Sequence, residues 1–281
     1  MNYSELVFAI EARESVLCVG LDTDLDKLPR GFSKGSQSML DFNKAIVDAT
    51  APYAVAYKPN LAFYEALGLE GWKVLEQTLL YIKTRYPGHF TIADAKRGDI
   101  GNTATMYAKG LLENMGFDSL TVAPYMGEDS VKPFLLPDKW AIVLALTSNG
   151  GSSDFQMQPL ANQAPLYQKV LERVQEWGSP EQLMFVVGAT HSDELAHVRS
   201  VAPNHFFLIP GVGAQGGSVS GVLKTAAWRN KPGMGVLVNA SRSILYASSG
   251  TDFAQKAALE AKKMQSDMAL FMETSRPLLI P

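Results

Sequence analysis

The sequence predicts one α/β domain, residues 1–281, folded as a (β/α)8 barrel (TIM barrel). Three observations support this fold class. Eight short apolar runs occur along the chain, amphipathic stretches with helical spacing separate them, and no long linker or shift of composition divides the 281 residues. Several runs are apolar throughout, which is typical of parallel strands buried on both faces. Alternation alone also fits a doubly wound open sheet.

The predicted strands follow one another at the spacing that βα units require. They are Val16–Leu21, Ala54–Tyr57, Phe90–Ala95, Ser119–Val122, Ala141–Leu146, Met184–Val187, Phe206–Ile209 and Gly235–Val238. Between them, apolar residues recur every three or four positions, which predicts helices that pack one face on the sheet. The clearest stretches are Phe42–Ala49, Trp72–Ile82, Leu166–Trp177 and Phe253–Met268.

Composition excludes several classes of protein. Hydrophobic residues make up 47% and charged residues 19%, which argues against disorder. Lys and Arg number 25 against 28 Asp and Glu, so the chain lacks the basic surface of a nucleic-acid binder. No apolar run approaches the ~18 residues of a membrane span, and the first residues lack a signal-peptide pattern. The single cysteine, Cys18, lies in an apolar run, and we expect a buried thiol in a reducing cytoplasm.

Charged residues follow the ends of the first three predicted strands. Asp22 follows the first strand, Lys58 the second, and Asp94 and Lys96 end the third, with Asp99 three residues further on. The carboxyl ends of all barrel strands form one mouth, where such folds carry their chemistry. Asp94 and Lys96 are two apart on a strand and should point to the same face. With Asp22 and Lys58 they predict an alternating array of Asp and Lys side chains.

Such an array has a chemical use. A charged residue at one strand end is often merely solvated, but four converging on one mouth favour a catalytic site. A buried lysine flanked by carboxylates stays protonated, because the opposite charges offset its desolvation. The array would therefore deliver a proton to an anionic carbon, or stabilise that carbon electrostatically.

A phosphate site is predicted on the far side of the same mouth. The segments Gly211–Gly213 and Gly216–Gly217 follow the seventh strand, and Arg242 follows the eighth, just before a helical stretch. In barrels of this type the loops after strands seven and eight, with a helix N-terminus, commonly hold phosphate.

No metal site is predicted. The histidines are His89, His191, His197 and His205. Only His191 and His197 are close in sequence, and their separation of six residues near a predicted surface helix favours a structural role over a metal site. Carboxylates of Asp22, Asp94 and Asp99 are suitable Mg²⁺ ligands, but Lys58 and Lys96 would already neutralise them.

These residues together resemble orotidine 5′-phosphate decarboxylases, in particular the longer bacterial subgroup. The resemblance extends from Asp22 to Arg242 with matching order and strand placement. It is carried by Lys58, by Asp94-x-Lys96-x-x-Asp99-Ile100, by Pro210-Gly211-Val212-Gly213-Ala214-Gln215-Gly216-Gly217 and by Arg242. The Asp-x-Lys-x-x-Asp core is shared with related phosphosugar barrels, and the other motifs make the match specific.

The resemblance implies decarboxylation of orotidine 5′-monophosphate to UMP in de novo pyrimidine synthesis, with no metal or organic cofactor. By resemblance, Lys96 is the cation beside C6 of the pyrimidine and the proton donor to it, and Asp94 lies against the substrate carboxylate. The remaining roles it implies are ribose binding by Asp22 and Lys58, pyrimidine binding by Ser148, phosphate binding by Gln215 and Arg242, a substrate contact at Pro210, and contributions across a homodimer interface from Asp99, Ile100 and Thr103.

Two alternatives stay open. One is a Mg²⁺-dependent relative that shares the Asp-x-Lys-x-x-Asp core, such as a 3-keto-gulonate 6-phosphate decarboxylase or a hexulose-phosphate synthase. Lys58 and Gln215 argue against it. The other is a catalytically silent barrel that binds nucleotides. The intact charged array argues against that, because a pure binder gains nothing from burying it.

Overall fold

Eight parallel strands form a closed barrel in the computed structural model, which describes residues 1–188, 192–211 and 218–275. Each strand pairs with the next, and β8 pairs with β1. The strands are β1 Leu17–Leu21, β2 Ala56–Pro59, β3 Phe90–Arg97, β4 Ser119–Val122, β5 Trp140–Leu146, β6 Leu183–Val187, β7 Phe206–Pro210 and β8 Val236–Ala240. The barrel prediction is confirmed, and the open sheet is excluded because the last strand pairs with the first.

All eight predicted strands are present, and their ends agree with the sequence prediction to within two residues. The second strand was predicted at Ala54–Tyr57 but begins at Ala56, because the Ala54 N–H bonds back to the Thr50 carbonyl at 3.0 Å and closes the turn after a helix. The last strand begins at Val236, since Gly235 has a φ of +82°. β3 continues past Ala95 to Arg97. β2 runs to Pro59, so Lys58, expected after a strand, lies within β2.

Helices surround the barrel and cover its outer face. They are α1 Tyr3–Arg13, α2 Ser36–Thr50, α3 Leu61–Glu65, α4 Gly68–Arg85, α5 Gly101–Ala108, α6 Ser152–Phe155, α7 Leu166–Val174, α8 Ser192–Val201, α9 Val219–Ala226, α10 Arg242–Leu245 and α11 Phe253–Thr274. The four predicted stretches fall on α2, α4, α7 and α11. Because α7 ends at Val174, Trp177 lies in the turn beyond it.

The core fills the barrel and the layer between barrel and helices. Its largest fully buried side chains include Trp140 on β5, Tyr57 on β2 and Phe90 on β3. Cys18 is buried as predicted, and burial raises the pKa of its thiol to about 12. Within the described ranges, no helix is both long and apolar enough to cross a membrane.

Candidate active site

Four charged side chains meet at the carboxyl ends of β1, β2 and β3. The Lys58 amine lies 2.7 Å from Oδ2 of Asp94 and 3.8 Å from Oδ1 of Asp22. The Lys96 amine lies 2.7 Å from Oδ1 of Asp94. The structure thus brings together the alternating series Asp22, Lys58, Asp94, Lys96, with Asp94 bonded to one lysine through each oxygen.

Burial and neighbouring charges fix the protonation states of Lys58 and Asp94. Burial by itself would lower the pKa of Lys58, but attraction to Asp94 and Asp22 outweighs it, and the pKa is raised above its ordinary value. Burial would likewise raise the pKa of Asp94, but the charges and hydrogen bonds of Lys58 and Lys96 outweigh it, and the pKa is lowered well below its ordinary value. Lys58 is therefore an ammonium and Asp94 a carboxylate at neutral pH. The Lys96 side chain, 52% exposed, faces solvent more than either partner does.

Strand register explains how neighbouring strands supply this array. Gly20 on β1 pairs with Lys58 on β2, which sets Lys58 beside the end of β1 and the Asp22 that follows it. Asn60, just after β2, forms an isolated bridge with Asp94. Lys96 departs from the regular pleat, with a φ of +46°. The prediction that Asp94 and Lys96 share a face assumed regular alternation along the strand. The backbone at Lys96 breaks that alternation, so alternation does not explain why the Lys96 amine reaches Asp94.

Two tyrosine hydroxyls hold the Asp22 segment in place. The Tyr246 hydroxyl donates to the Asp22 carbonyl at 3.1 Å and accepts from the Asp24 N–H at 2.8 Å. The Tyr64 hydroxyl donates to the Leu21 carbonyl at 3.2 Å. Sequence reasoning missed both tyrosines, because aromatic residues near helices are typical of core packing. Oδ1 of Asp22 is buried and has no hydrogen-bond partner among the described residues.

The end of β3 and the turn after it carry the rest of the Asp94-x-Lys96-x-x-Asp99-Ile100 motif. Arg97 forms an ion pair with Glu65 at the end of α3, and its guanidinium lies 5.3 Å from the ring centre of Tyr107 on α5. The Asp99 carboxylate accepts the Ile100 N–H at 2.8 Å and, in the described part of the chain, makes no ion pair. Within the described residues, Asp99, Ile100 and Thr103 form no hydrogen bond or ion pair with the Asp–Lys array of their own chain, and the side chains of Ile100 and Thr103 are exposed.

Ser148 lines a small cavity after β5. The cavity has a volume of about 290 Å³, and Gly188 and Glu194 also line it. A Cβ on Gly188 would lie 2.9 Å from the Ser148 nitrogen, so only glycine leaves this space open. The neighbouring Thr147 hydroxyl is bonded to Asn149 and Gln156, whereas the Ser148 hydroxyl has no hydrogen-bond partner in the described ranges.

The predicted phosphate residues lie at the ends of β7 and β8. Pro210 ends β7 and pairs with Asn239 of β8, while Arg242 is exposed at the start of the four-residue helix α10. Ser241 packs so closely on Gly20 that a Cβ there would lie 1.9 Å from the serine Oγ, which ties the chain before Arg242 to β1. Gln215 and the glycines of residues 213–217 lie outside the described residues, as does His191.

The acidic side chains in the described part of the mouth bear on the expectation about metal ligands. Among the residues that the structure describes, no group of three or more His, Cys, Asp or Glu side chains is placed to hold a metal ion. Asp22 and Asp94 each face a lysine amine instead.

Fold and site together define a (β/α)8 barrel of the kind that carries its chemistry at the carboxyl ends of its strands. The family model described as "Orotidine 5'-phosphate decarboxylase / HUMPS family" matches residues 15–257, and the chain belongs to this family.

Curated relatives and solved structures agree with this assignment. The orotidine 5'-phosphate decarboxylase of Phocaeicola vulgatus is 52% identical over 97% of this chain and 99% of its own length. That of Bacteroides fragilis is 53% identical over 96% and 97%. The structure of Leishmania donovani OMP decarboxylase superposes with a TM-score of 0.78 at 35% identity, covering 95% of this chain and 99% of that one.

Proposed function

We propose that this protein decarboxylates orotidine 5′-monophosphate to UMP and CO₂. One observation carries the proposal: the Lys58–Asp94–Lys96 arrangement, with Asp22 beside it, lies at the mouth of a barrel whose chain is about half identical to orotidine 5'-phosphate decarboxylases. The family description also includes the HUMPS relatives, so the family match alone leaves the substrate open. Relatives that match over nearly their full length and carry the decarboxylase name favour the nucleotide substrate.

The charged array suits the bond that must break. Loss of CO₂ from C6 leaves the bonding electron pair on that carbon, and the pyrimidine ring does not delocalise it fully. The Lys96 ammonium would stabilise this carbanion and donate the proton that forms the new C6–H bond. The resulting amine would regain a proton from water, since the Lys96 side chain is half-exposed. Asp94, held as an anion, would keep Lys96 in place beside the reacting carbon.

Polar groups around the array suit the ribose, the pyrimidine edge and the phosphate of the nucleotide. The Asp22 side chain is 21% exposed at the mouth, and its carboxylate would accept a hydrogen bond from a ribose hydroxyl. Lys58 would donate to a second ribose oxygen. The Ser148 hydroxyl faces a cavity that suits one edge of the pyrimidine. Arg242, with Gln215 and the contact at Pro210, would hold the phosphate end.

We also propose a homodimer. Five large apolar side chains are exposed after β3 and β4, namely Ile100, Met106, Tyr107, Tyr125 and Met126, with Tyr125 exposed to 89%. The two segments adjoin, because a Cβ on Gly98 would lie 3.0 Å from the Ala123 carbonyl oxygen. Contiguous apolar patches of this kind mark interfaces. Asp99 and Thr103 lie beside the patch, and in a dimer they would reach the site of the other copy.

The test is incubation of the purified protein with orotidine 5′-monophosphate and EDTA, while the pyrimidine absorbance and released CO₂ are followed. We expect stoichiometric UMP and CO₂, with a rate that the chelator leaves unchanged, because two lysines supply the positive charge. Activity that EDTA removes and Mg²⁺ restores, with a phosphosugar as the better substrate, would support the metal-dependent alternative. Tight UMP binding without turnover would support the silent barrel.

A further inference from the structure

Thr121 on β4 connects the two residues at the centre of the array. Its side chain is buried, with only 2% of the residue exposed. Its hydroxyl donates to Oδ1 of Asp94 at 3.1 Å and accepts the backbone N–H of Lys96 at 2.8 Å. The Lys96 amine donates to the same Asp94 oxygen at 2.7 Å. Three hydrogen bonds thus link the Lys96 N–H, the Thr121 hydroxyl, Oδ1 of Asp94 and the Lys96 amine, and the Lys96 side chain closes the ring.

Irregular pairing between β3 and β4 makes this hydroxyl necessary. Ala93 pairs with Leu120 and Arg97 with Val122, so the three residues from Asp94 to Lys96 lie opposite Thr121 alone. Lys96 there adopts the left-handed backbone that non-glycine residues avoid. Its N–H finds the Thr121 hydroxyl instead of a β4 carbonyl. Such strain persists only where the surroundings fix it, and the Thr121 bond is one contact that does so.

We propose that Thr121 is a positioning residue for the decarboxylation, a role that rests on the proposed function. Its hydroxyl fixes the backbone of Lys96 and Oδ1 of Asp94 relative to each other. The Lys96 ammonium is thereby held in one position at the mouth of the barrel. Because Thr121 is buried beneath Asp94, it acts through these two residues and not on the substrate. Stabilisation of a developing charge depends on donors fixed in advance, so a looser Lys96 would slow the chemical step more than substrate binding.

The experiment compares substitutions that remove or keep the hydroxyl. We expect Thr121→Val and Thr121→Ala to lower kcat by ~10-fold or more, with KM and UMP affinity within about twofold of the unsubstituted enzyme. Thr121→Ser, which keeps the hydroxyl, should recover most of kcat. Ser119→Ala is the matched control, since Ser119 is a buried β4 hydroxyl that donates to the Thr91 carbonyl at 3.2 Å, away from the array. We expect it to leave kcat nearly unchanged. Thr121→Ala keeps the test valid if Thr121→Val does not fold.

Several results would overturn the inference. One is an unchanged kcat in both hydroxyl-free variants of an active enzyme. Another is an equal loss in Ser119→Ala, or a failure of Thr121→Ser to recover kcat, since either would mean that packing alone is affected. An unsubstituted enzyme that does not decarboxylate orotidine 5′-monophosphate would overturn the proposed function, and the role of Thr121 with it.

Discussion

The Lys58 amine and Oδ2 of Asp94 lie 2.7 Å apart, and both side chains are almost entirely buried. Each charge offsets the desolvation of the other, so neutralising either residue removes the nearest counter-charge of a buried ion. Lys58 donates a hydrogen bond to Oδ2 of Asp94, whereas Lys96 and Thr121 both donate to Oδ1. The more exposed lysine is thereby anchored to the more buried one through a shared carboxylate.

This pairing predicts how stability depends on pH. The pKa of Asp94 is lowered in the folded state, so its ionised form stabilises the fold above the ordinary carboxyl pKa, and that contribution is lost as pH falls. We expect Asp94→Asn to lower the free energy of unfolding by roughly 3–5 kcal/mol at pH 7, the usual cost of breaking a buried pair. The difference from the unsubstituted protein should stay constant above the ordinary carboxyl pKa of about 4 and shrink as the pH falls below it towards 2. Urea denaturation at each pH measures it.

Asp26→Asn is the control for this comparison. Asp26 pairs with Lys34, but the two side chains are 76% and 72% exposed. Water and salt screen exposed pairs, so this substitution should change stability little at any pH. A difference for Asp94→Asn that stays constant from pH 6 to pH 2 would contradict the linkage argument.

A second prediction concerns Lys96. Lys96→Ala should lower kcat and kcat/KM together by at least ~10³-fold, because it removes both a proton donor and a charge that acts on the carbanion. UMP affinity, measured by calorimetry, should remain substantial, since ribose and phosphate contacts come from other residues. Lys73→Ala, an exposed lysine on α4 paired with Glu70, is the control. Near-normal turnover in Lys96→Ala would remove this residue from the mechanism.

Much of the site follows from strand order alone. Parallel strands end at one edge of a barrel, so Asp22, Lys58 and Asp94 can be assigned to a common mouth without knowledge of any side-chain contact. The left-handed Lys96 and its bond to Thr121 cannot be predicted this way. Both depend on how β3 and β4 pair, and such pairing is set by residues far apart in the chain.

The two tyrosines that bond the Asp22 segment show a second limit of prediction from sequence. Tyr64 and Tyr246 are surrounded by apolar residues, and periodicity assigns such rings to the core. Their rings do pack there, but each hydroxyl bonds the β1 end or the loop after it, and nothing in the local sequence distinguishes these tyrosines from others. The helix α1 was also not predicted, although Asn2 and Glu5 form a capping box at its start.

A third prediction tests the phosphate end of the site. Arg242→Ala should weaken binding and lower kcat/KM for orotidine 5′-monophosphate by roughly tenfold or more, since a charge-assisted contact to phosphate contributes about 1.5–3 kcal/mol. The loss should be much smaller with orotidine, which lacks the phosphate. Initial rates on both substrates decide the matter, and equal losses would mean that Arg242 is structural.

The last prediction concerns composite sites. Asp99 lies past the end of β3, in the turn before α5, and forms no hydrogen bond or ion pair with the array of its own chain in the described structure, whereas Lys96 is bound to its own Asp94. Asp99→Ala and Lys96→Ala proteins should each be nearly inactive. In a mixed dimer both lesions fall in one site and the other site is intact, so subunit exchange should restore up to about half of the normal activity per heterodimer. Mixing Asp94→Asn with Lys96→Ala is the control, because those lesions then damage one site each and nothing should return. Restored activity in the first mixture alone requires Asp99 to serve its neighbour; exchange without any recovery would put Asp99 in the site of its own chain.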